Sequence, residues 1–359
     1  MRVLFAPDSF KGTARSLDVT TALIEGWLSV RGGDDLVSLP QADGGEGTLD
    51  VVAASSPGAR WSVATSVCRP DGRPVDARWL VLADGRAVTE LAESSGIALM
   101  ESLDPFGAGT RGLGEVIAAA RSERLSVALG GSASTDGGLG ALRALGLRVF
   151  DAHGTDVPEG GAGLVRVASI DASGLLPVPG DVELLTDTRA VLCGPTGAAA
   201  VFGPQKGASP ADIEILDAAL ARWAELLTAA GLIADPSVPG VGAAGGTAFG
   251  LCAWGAHIAP GAERVSELTG LLDAVGTADL VVTGEGEFDA TSLTGKLVGH
   301  VLELCGKYSV PVAVVAGRVS VESEVDTVSL TDLAGGSAGA MTDPERWLFE
   351  AGRRLAHMR

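Results

Sequence analysis

Cysteine pairs and long apolar runs are both missing from this chain of 359 residues. The four cysteines are Cys68, Cys193, Cys252 and Cys305, and no two of them form a CxxC pair. This spacing argues against a zinc site and against a disulfide framework. No stretch reaches the roughly 20 apolar residues that a membrane span needs, and the N-terminus lacks the apolar segment of a signal peptide. We therefore expect a cytoplasmic protein without a membrane partner.

Positive charge is also scarce. Lysine and arginine together number 26 against 45 acidic residues, which gives a formal net charge of −19. A surface this acidic repels nucleic acid and anionic membranes, so neither is an expected partner. It also repels an anionic substrate at long range. A site for such a substrate must therefore hold its cations locally, with a bound metal ion adding to them.

Aromatic residues make up only 4% of the chain, whereas 46% is hydrophobic and glycine contributes 51 residues. A chain with this much apolar content can bury a large core, which argues against disorder. The glycines favour tight turns and close approaches of the backbone, and the core must be built mainly from Ala, Val and Leu. The length is enough for two domains.

Short apolar runs alternate with helical patterns at both ends of the chain, in the order typical of βαβ units. Val3–Ala6 and residues 279–282 and 310–315 predict buried parallel strands, and Ser16–Trp27 predicts a helix. In contrast, residues 61–91 alternate between apolar and polar positions and contain Asp-Gly turns, which indicate β-hairpins.

These patterns predict an α/β protein built from two α/β domains. The first is a discontinuous, doubly wound domain of the Rossmann/flavodoxin-like kind, made from residues 1–60 plus 263–359. The second is an inserted α/β domain with β-hairpins, made from residues 61–262.

Polar and charged residues gather directly after the predicted strands. They are Asp8, Ser9 and Lys11 after the first strand, Asp43 and Glu46 after the second, Ser132 and Asp136 after residues 126–129, Asp187 after residues 182–185, and Glu285 and Asp289 after residues 279–282. In open parallel sheets, ligands bind at the carboxyl ends of strands, where loops present backbone N–H groups and side chains together. Each residue taken alone also fits an N-cap or a turn. Five such loops, all rich in glycine, favour a ligand site.

This set of side chains suits phosphoryl transfer. That reaction requires metal ligands for a triphosphate, positive charge on the transferring oxygens, and a group that orients or deprotonates the acceptor hydroxyl. Mg²⁺ prefers carboxylates together with phosphate and water. The candidate metal ligands are Asp43, Glu46, Glu285 and Asp289.

Lysines are few, and Lys11, Lys206 and Lys296 each stand beside a glycine within one of the motif loops, the last preceded by Gly295. A glycine lets a ligand approach the backbone closely, so these lysines are the candidate cations for an anionic substrate. An ordinary surface lysine is the alternative interpretation of each.

Six long motifs run in one order along nearly the whole chain. They are APDSFKG (6–12), ADGGEGT (42–48), GGSASTDGG (130–138), GPTGAAAVFGPQKGA (194–208), GVGAAGG (240–246) and TGEGEFDATSLTGK (283–296). Together they resemble the glycerate kinase type I family, the bacterial glycerate 2-kinases. One glycine motif is weak evidence, whereas six in order are strong. The resemblance implies two α/β domains, ATP with Mg²⁺ as cofactor, and D-glycerate as the acceptor.

The predicted catalytic residues are Asp187, Lys11 and Lys206. Asp187 lies where the family has an Asp followed by Asn-Pro-Leu, and we expect it to orient or deprotonate the acceptor hydroxyl. The two lysines would bind the substrate carboxylate and the phosphates, and Ser132 suits an anion at a helix N-terminus. The predicted substrate contacts are Asp8, Ser9, Ser132, Asp136 and Arg189. The predicted phosphate contacts are Gly130, Gly131, Gly284, Gly286 and Lys296.

The chain departs from the family pattern in three motif loops. Thr-Arg-Ala-Val-Leu follows Asp187 in place of the usual Asn-Pro, residues 110–115 lack a tyrosine that is common there, and Thr291 replaces a usual glutamine. Arg189, a new cation, either binds a carboxylate or pairs with a surface acid.

These departures leave three alternatives open: a kinase of another small hydroxy acid, 3-phosphoglycerate as the product, and a non-catalytic paralogue that binds a nucleotide or metabolite. An NAD-dependent oxidoreductase is disfavoured, because the first strand–helix junction reads Pro-Asp-Ser-Phe-Lys-Gly instead of GxGxxG.

Overall fold

Strands and helices interleave along the chain in a computed structural model that describes residues 1–293 and 296–359. The strands are β1 (Arg2–Phe5), β2 (Asp35–Ser38), β3 (Arg60–Cys68), β4 (Pro74–Val81), β5 (Ala87–Glu90), β6 (Arg124–Ala128), β7 (Arg148–Phe150), β8 (Ser169–Asp171), β9 (Asp181–Leu185), β10 (His257–Ala259), β11 (Leu280–Phe288), β12 (Val312–Val319) and β13 (Asp326–Ser329).

The α-helices are α1 (Ser16–Leu28), α2 (Thr48–Ser55), α3 (Ala92–Ser95), α4 (Arg111–Ala120), α5 (Leu139–Ala144), α6 (Gly160–Arg166), α7 (Ala198–Phe202), α8 (Pro210–Ala229), α9 (Thr247–Trp254), α10 (Gly261–Thr269), α11 (Leu271–Val275), α12 (Leu297–Tyr308), α13 (Leu330–Ala334), α14 (Ser337–Thr342) and α15 (Pro344–His357). Short 3₁₀ turns occupy Ile97–Leu99 and Pro204–Lys206.

The described residues divide into two compact units. The first contains residues 1–43, 50–57 and 261–359, and the second contains residues 44–49 and 58–260. The domain limits drawn from the sequence, at 60/61 and 262/263, remain a prediction. The packing differs from them at residues 44–49, a short segment that lies against the sheet of the second unit.

The first unit contains a parallel sheet in the order β13-β12-β11-β1-β2. Alternate residues of its strands face opposite sides. Phe5 packs in one core with Leu23 of α1 and Leu355 of α15, whereas Leu4 packs in another with Val301 of α12. Helices therefore cover both faces, as buried parallel sheets require. This is the doubly wound arrangement that the sequence predicts.

Helices α1 and α15 approach each other closely on one face of this sheet. A Cβ on Gly26 of α1 would lie 2.0 Å from the carbonyl oxygen of Phe349. A Cβ on Gly352 of α15 would lie 2.2 Å from the carbonyl oxygen of Leu23. Glycine at both positions lets the two backbones touch, and the helices then cover the β1 side chains together.

In the parallel sheet of the first unit, the side on which successive strands are added changes at β1. The chain first adds β2 on one side of β1 and later adds β11, β12 and β13 on the other side. Such a switch point leaves a crevice at the carboxyl ends of the two strands that flank it, here β1 and β11. The fold therefore directs attention to the residues that follow these strands.

The second unit contains a six-stranded sheet in the order β10-β9-β6-β5-β4-β3 within the described residues. Strands β10, β9, β6 and β5 are mutually parallel, whereas β4 and β3 pair antiparallel. The predicted hairpins of residues 61–91 form this antiparallel portion. In β3 the register shifts between Ala64 and Val67, where Ser66 has a φ of 57°.

Local backbone geometry sets the limits of two helices. Helix α4 ends at Ala120, because Arg121 adopts a left-handed φ of 40°. Helix α8 begins at Pro210, because Ser209 and Asp212 form a capping box. The last motif, at 283–296, includes Thr294 and Gly295, which lie outside the described residues.

Candidate functional site

Backbone hydrogen bonds continue past the ends of β1, β2 and β11 in the first unit. The N–H of Asp8 donates to the carbonyl of Gly284 at 2.9 Å, and the N–H of Gln41 donates to Pro7 at 2.9 Å. A Cβ on Gly284 would lie 2.2 Å from the carbonyl oxygen of Val315, so glycine is needed there. This pairing brings together four charged side chains: Asp8, Lys11, Asp43 and Glu285. We call them the acidic cluster.

Lys11 is the cation of the acidic cluster. Its Nζ donates to Oδ2 of Asp43 at 2.8 Å, and its side chain is 74% exposed. Desolvation alone would lower the pKa of Lys11, but the charges of Asp43, Asp8 and Glu285 raise it above its usual value. The ammonium group is therefore both charged and open to solvent, as a group that binds an anion must be.

Asp8 is buried in the acidic cluster, with 8% exposure. Its Oδ1 accepts the N–H of Ser9 at 2.6 Å. Desolvation, followed by the charge of Asp43, raises the pKa of Asp8 to about 8, although Lys11 acts in the opposite direction. A carboxyl group with such a pKa can exchange a proton near neutral pH.

Glu285 supplies a second buried carboxyl group, with 9% exposure. Its Oε1 has no hydrogen-bond partner among the described residues, and desolvation raises its pKa. This buried oxygen lies near two other acids and the Lys11 ammonium group, and a carboxylate oxygen is the kind of ligand that Mg²⁺ prefers. Among the described residues, no group of three or more His, Cys, Asp or Glu side chains is placed to hold a metal ion.

Asp289, a predicted metal ligand, uses one carboxylate oxygen for hydrogen bonds within the turn that follows it. Its Oδ1 accepts from the Thr291 hydroxyl at 2.6 Å and from the N–H groups of Thr291 and Ser292 at 2.8 and 3.1 Å. The Thr291 hydroxyl leads the effects that lower the pKa of Asp289 to about 2. The Nζ of Lys296 lies 3.9 Å from the same oxygen.

Gly286 lies beside the backbone of Lys11, since a Cβ on Gly286 would be 3.8 Å from the backbone nitrogen of Lys11.

In the second unit, two glycine-rich loops meet at the carboxyl ends of β5, β6 and β9. One is formed by residues 44–49, which run into the first turn of α2 and which we call the 44–49 loop, and the other is the 130–138 loop. The N–H of Gly130 donates to the carbonyl of Gly44 at 3.2 Å. A Cβ on Gly130 would lie 2.4 Å from Cα of Gly45. The two backbones therefore touch, and only glycine permits this approach.

Glu46 is exposed and lies over the 130–138 loop. A Cβ on Gly131 would be 3.8 Å from Cβ of Glu46. Ser132 is buried, and its hydroxyl lies 3.2 Å from that of Ser134. The helix that follows this loop begins at Leu139, so the prediction that Ser132 stands at a helix N-terminus is wrong.

Lys206 is almost completely buried, with 2% exposure. Its Nζ donates to the carbonyl oxygen of Ser134 and lies 3.4 Å from the Ser132 hydroxyl. Desolvation lowers the pKa of Lys206 to about 7, and the charge of Asp136 raises it only in part. The ammonium group thus supports the 130–138 loop from inside. Direct contact with phosphate remains a prediction.

Asp136 is fully buried beneath the same loop. Its carboxylate accepts from Thr110 Oγ1 at 2.7 Å, Thr110 N at 3.0 Å, Gly138 N at 3.1 Å and Gly140 N at 3.1 Å. Desolvation raises its pKa, while these four donors lower it. This geometry is that of a residue that orders the loop and the start of α5. It differs from the substrate contact that the sequence predicts.

Asp187 and Arg189 follow β9 at the same end of the sheet. Asp187 is half-buried and Arg189 is exposed. The loop that carries them is tied to the neighbouring strand by the N–H of Thr186, which donates to the Ala259 carbonyl at 3.2 Å. Both side chains are therefore at the edge where ligands bind in parallel sheets.

Sequence reasoning missed Glu90, the last residue of β5. Glu90 is 4% exposed and accepts hydrogen bonds from the 44–49 loop. Desolvation raises its pKa to about 7. An acid directly after an apolar strand is the signal that located the other candidates. Here it lay in the segment interpreted as hairpins, and β5 in fact pairs parallel with β6.

In the described part of the chain, no helix is long and apolar enough to cross a membrane.

Comparisons with known proteins point to one family. The model of the glycerate kinase family matches residues 3–359. The chain is 39% identical to a glycerate kinase of Bacillus subtilis (strain 168) over 90% of this chain and 86% of that protein. It is 37% identical to a glycerate 2-kinase of Escherichia coli (strain K12) over 89% and 86%, respectively.

A solved structure gives the same result. A crystal structure assigned to glycerate kinase 2 from Salmonella typhimurium LT2 superposes with a TM-score of 0.83 at 35% identity, and the match covers 100% of this chain and 98% of that one. The fold, the charged strand ends and these similarities define an enzyme of the phosphotransferase class, a kinase. The chain belongs to the glycerate kinase family.

Proposed function

We propose that this enzyme transfers the γ-phosphoryl group of ATP to the 2-hydroxyl of D-glycerate and forms 2-phosphoglycerate. The observation that carries the proposal is the acidic cluster at the switch point of the first unit, in a chain that belongs to the glycerate kinase family. Relatives named glycerate kinase and glycerate 2-kinase support the choice of acceptor and of hydroxyl. Phosphoryl transfer depends on such charges to position and neutralise its substrates.

We propose Mg²⁺ as the accompanying cation, in a cytoplasmic enzyme. When bound, it would neutralise charge on the transferring phosphates. Glu285, whose Oε1 has no hydrogen-bond partner in the described part of the chain, and Asp43 are the residues that best fit it. Glu46 and Asp289 remain proposed ligands from the sequence, and Asp289 would have to use an oxygen other than the occupied Oδ1.

Lys11 has the exposure and the charge to bind an anionic group of a substrate. For the proton of the acceptor hydroxyl, Asp187 remains the proposed acceptor because of its place after β9. Asp8 is a second candidate, because a general base is most effective when its pKa lies near the pH of the reaction, and the pKa of Asp8 is raised to about 8. The exposed Arg189 keeps a different small hydroxy acid as the second candidate function.

Phosphorus NMR of the reaction product tests the proposal. Phosphate on C2 of glycerate couples to one proton and gives a doublet, whereas phosphate on C3 couples to two protons and gives a triplet. We expect a doublet that appears only when ATP, Mg²⁺ and D-glycerate are all present. A triplet would contradict the 2-hydroxyl. Turnover with another hydroxy acid but not with glycerate would move the acceptor to the second candidate.

A further inference from the structure

Glu90 uses both of its carboxylate oxygens on a single loop. Oε1 accepts the N–H of Gly47 at 3.0 Å, and Oε2 accepts the N–H of Leu49 at 3.2 Å. The side chain is 4% exposed and stands at the carboxyl end of β5, in the parallel part of the second sheet. Two donors spaced two residues apart make this a bidentate grip on the backbone.

The 44–49 loop has a separate attachment on each side of Glu46. Before Glu46, the carbonyl of Gly44 accepts the N–H of Gly130 at 3.2 Å. After Glu46, the two N–H groups bonded to Glu90 hold the backbone, at a point where Gly47 has a φ of 93°. The exposed Glu46 side chain therefore projects from a segment fixed at both ends, and Glu90 provides the second fixed end.

The hydrogen bonds that Glu90 accepts come from two backbone amides at the start of α2, and the charges of Glu93 and Glu46 raise its pKa further. Desolvation of a buried carboxylate costs stability. Ionisable groups with a strongly shifted pKa cluster at functional sites.

We propose that Glu90 is a positioning residue of the phosphoryl-transfer site: through the amides of Gly47 and Leu49 it holds Glu46 at the carboxyl edge of the second sheet. The expected effect on kinetics rests on the proposed function. The expected effect on the 44–49 loop rests only on the two hydrogen bonds that Glu90 accepts.

The test compares Glu90→Gln with Glu93→Gln as a matched control. Glutamine keeps the shape of Glu90 but has one acceptor oxygen, so one of the two amides faces an NH₂ group. Glu93 lies on α3 three residues later, where its carboxylate bonds Arg78. We expect amide exchange at Gly47 and Leu49 to be at least tenfold faster in Glu90→Gln, with β6 amides still protected. Glu93→Gln should leave exchange at these two positions unchanged.

Kinetics then separate positioning from a general loss of stability. Glu90→Gln should lower kcat/KM for glycerate by about 10- to 100-fold, whereas Glu93→Gln should stay within about twofold of the wild type. In a Glu46→Gln background, the Glu90→Gln change should cost less than about threefold more, because both act through one loop. Fully additive losses, or a Glu46→Gln variant with normal kinetics, would overturn the positioning role.

The two proposals fail in different ways. If the wild type does not phosphorylate glycerate, the proposed function is wrong, and amide exchange still decides the grip on the loop. Unchanged exchange at Gly47 and Leu49 in Glu90→Gln overturns the inference about Glu90, whatever the enzyme phosphorylates.

Discussion

Burial controls the chemistry of the ionisable side chains of this protein. Lys11 and Lys206 both follow the same sequence rule, a lysine directly before a glycine, yet one side chain is 74% exposed and the other residue only 2%. The first has a raised pKa and the second a pKa lowered to about 7. Residues of one type therefore have different roles, because the free energy of a charge depends on its access to water.

Replacement of Lys206 by methionine should change the free energy of unfolding by an amount that depends on pH. An unfolded lysine stays protonated up to about pH 10.4, whereas folded Lys206 loses its proton near pH 7. Between these values the unfolded state binds more protons, so wild-type stability rises with pH, by at most about 1.4 kcal/mol per pH unit. The stability of Lys206→Met relative to the wild type should thus be highest below pH 7 and fall towards pH 10.

Urea unfolding at a series of pH values measures this difference in the free energy of unfolding. Lys307→Met, which changes an exposed lysine on α12, is the control and should show a difference that does not vary with pH. A pH-independent difference for Lys206→Met would mean that Lys206 keeps its proton in the folded state throughout this range.

Asp187→Asn should lower kcat by at least about 100-fold if Asp187 takes or orients the proton of the acceptor hydroxyl. The melting temperature should change little, because the side chain is only half-buried. Asp181→Asn, an exposed site at the opposite end of β9, is the matched control and should keep its kcat. A near-normal kcat in Asp187→Asn would transfer the proton-acceptor role to Asp8.

At the scale of elements, the second unit brings two loops together at one end of three parallel strands. Gly44 lies against Leu185 of β9, since a Cβ there would be 2.9 Å from Cβ of Leu185. Gly130 touches Gly45 in the same way, and Glu90 at the end of β5 holds Gly47. The 44–49 loop thus crosses the ends of β9, β6 and β5, and its position is set by backbone contact rather than by side-chain packing.

Gly130→Ala should therefore damage this junction. The added methyl group would lie 2.4 Å from Cα of Gly45, and neither backbone can yield without moving its loop. We expect a loss of about 1–3 kcal/mol in stability and a loss of about tenfold or more in kcat/KM.

Gly306→Ala, on α12, provides a control of opposite sign. A Cβ at this position meets nothing within 4 Å, so alanine should raise stability by up to about 1 kcal/mol through its higher helix propensity. Chemical denaturation and steady-state kinetics of both variants check the pair. Normal stability and activity in Gly130→Ala would show that the two loops can separate without cost.

At the scale of the whole molecule, a net charge of −19 opposes the approach of anionic substrates. Lys11 offsets this locally in the acidic cluster, but the long-range field stays negative. Added salt screens such a field over a Debye length of about 10 Å at 0.1 M. Association with glycerate and ATP should therefore become easier as salt is first added.

We expect kcat/KM for glycerate to rise by up to a few-fold between about 10 and 100 mM NaCl, because this range shortens the Debye length from about 30 to 10 Å. Steady-state kinetics at constant pH and constant Mg²⁺ concentration measure the effect. The neutral osmolyte sucrose, at matched osmolality, is the control and should give no rise. A steady fall from the lowest salt concentration would indicate that local cations dominate the encounter.

The sequence by itself determined the class of fold and the places where polar residues collect. Apolar runs such as Val3–Ala6 predict buried strands because their hydrophobic pattern is local, and the order of strands and helices predicts the doubly wound unit. The same local rule places Asp8, Asp43 and Asp187 at strand ends. Each of these inferences needs only neighbours along the chain.

Only the tertiary structure decided which of these residues meet and how they ionise. Glu90 reaches Gly47 across 43 positions, and Lys206 reaches Ser132 across 74. The pKa of Asp8 is raised, and Oε1 of Glu285 has no hydrogen-bond partner among the described residues, because the surrounding strands exclude water from both side chains. Desolvation and long-range contact are properties of the folded chain, so no local pattern in the sequence encodes them.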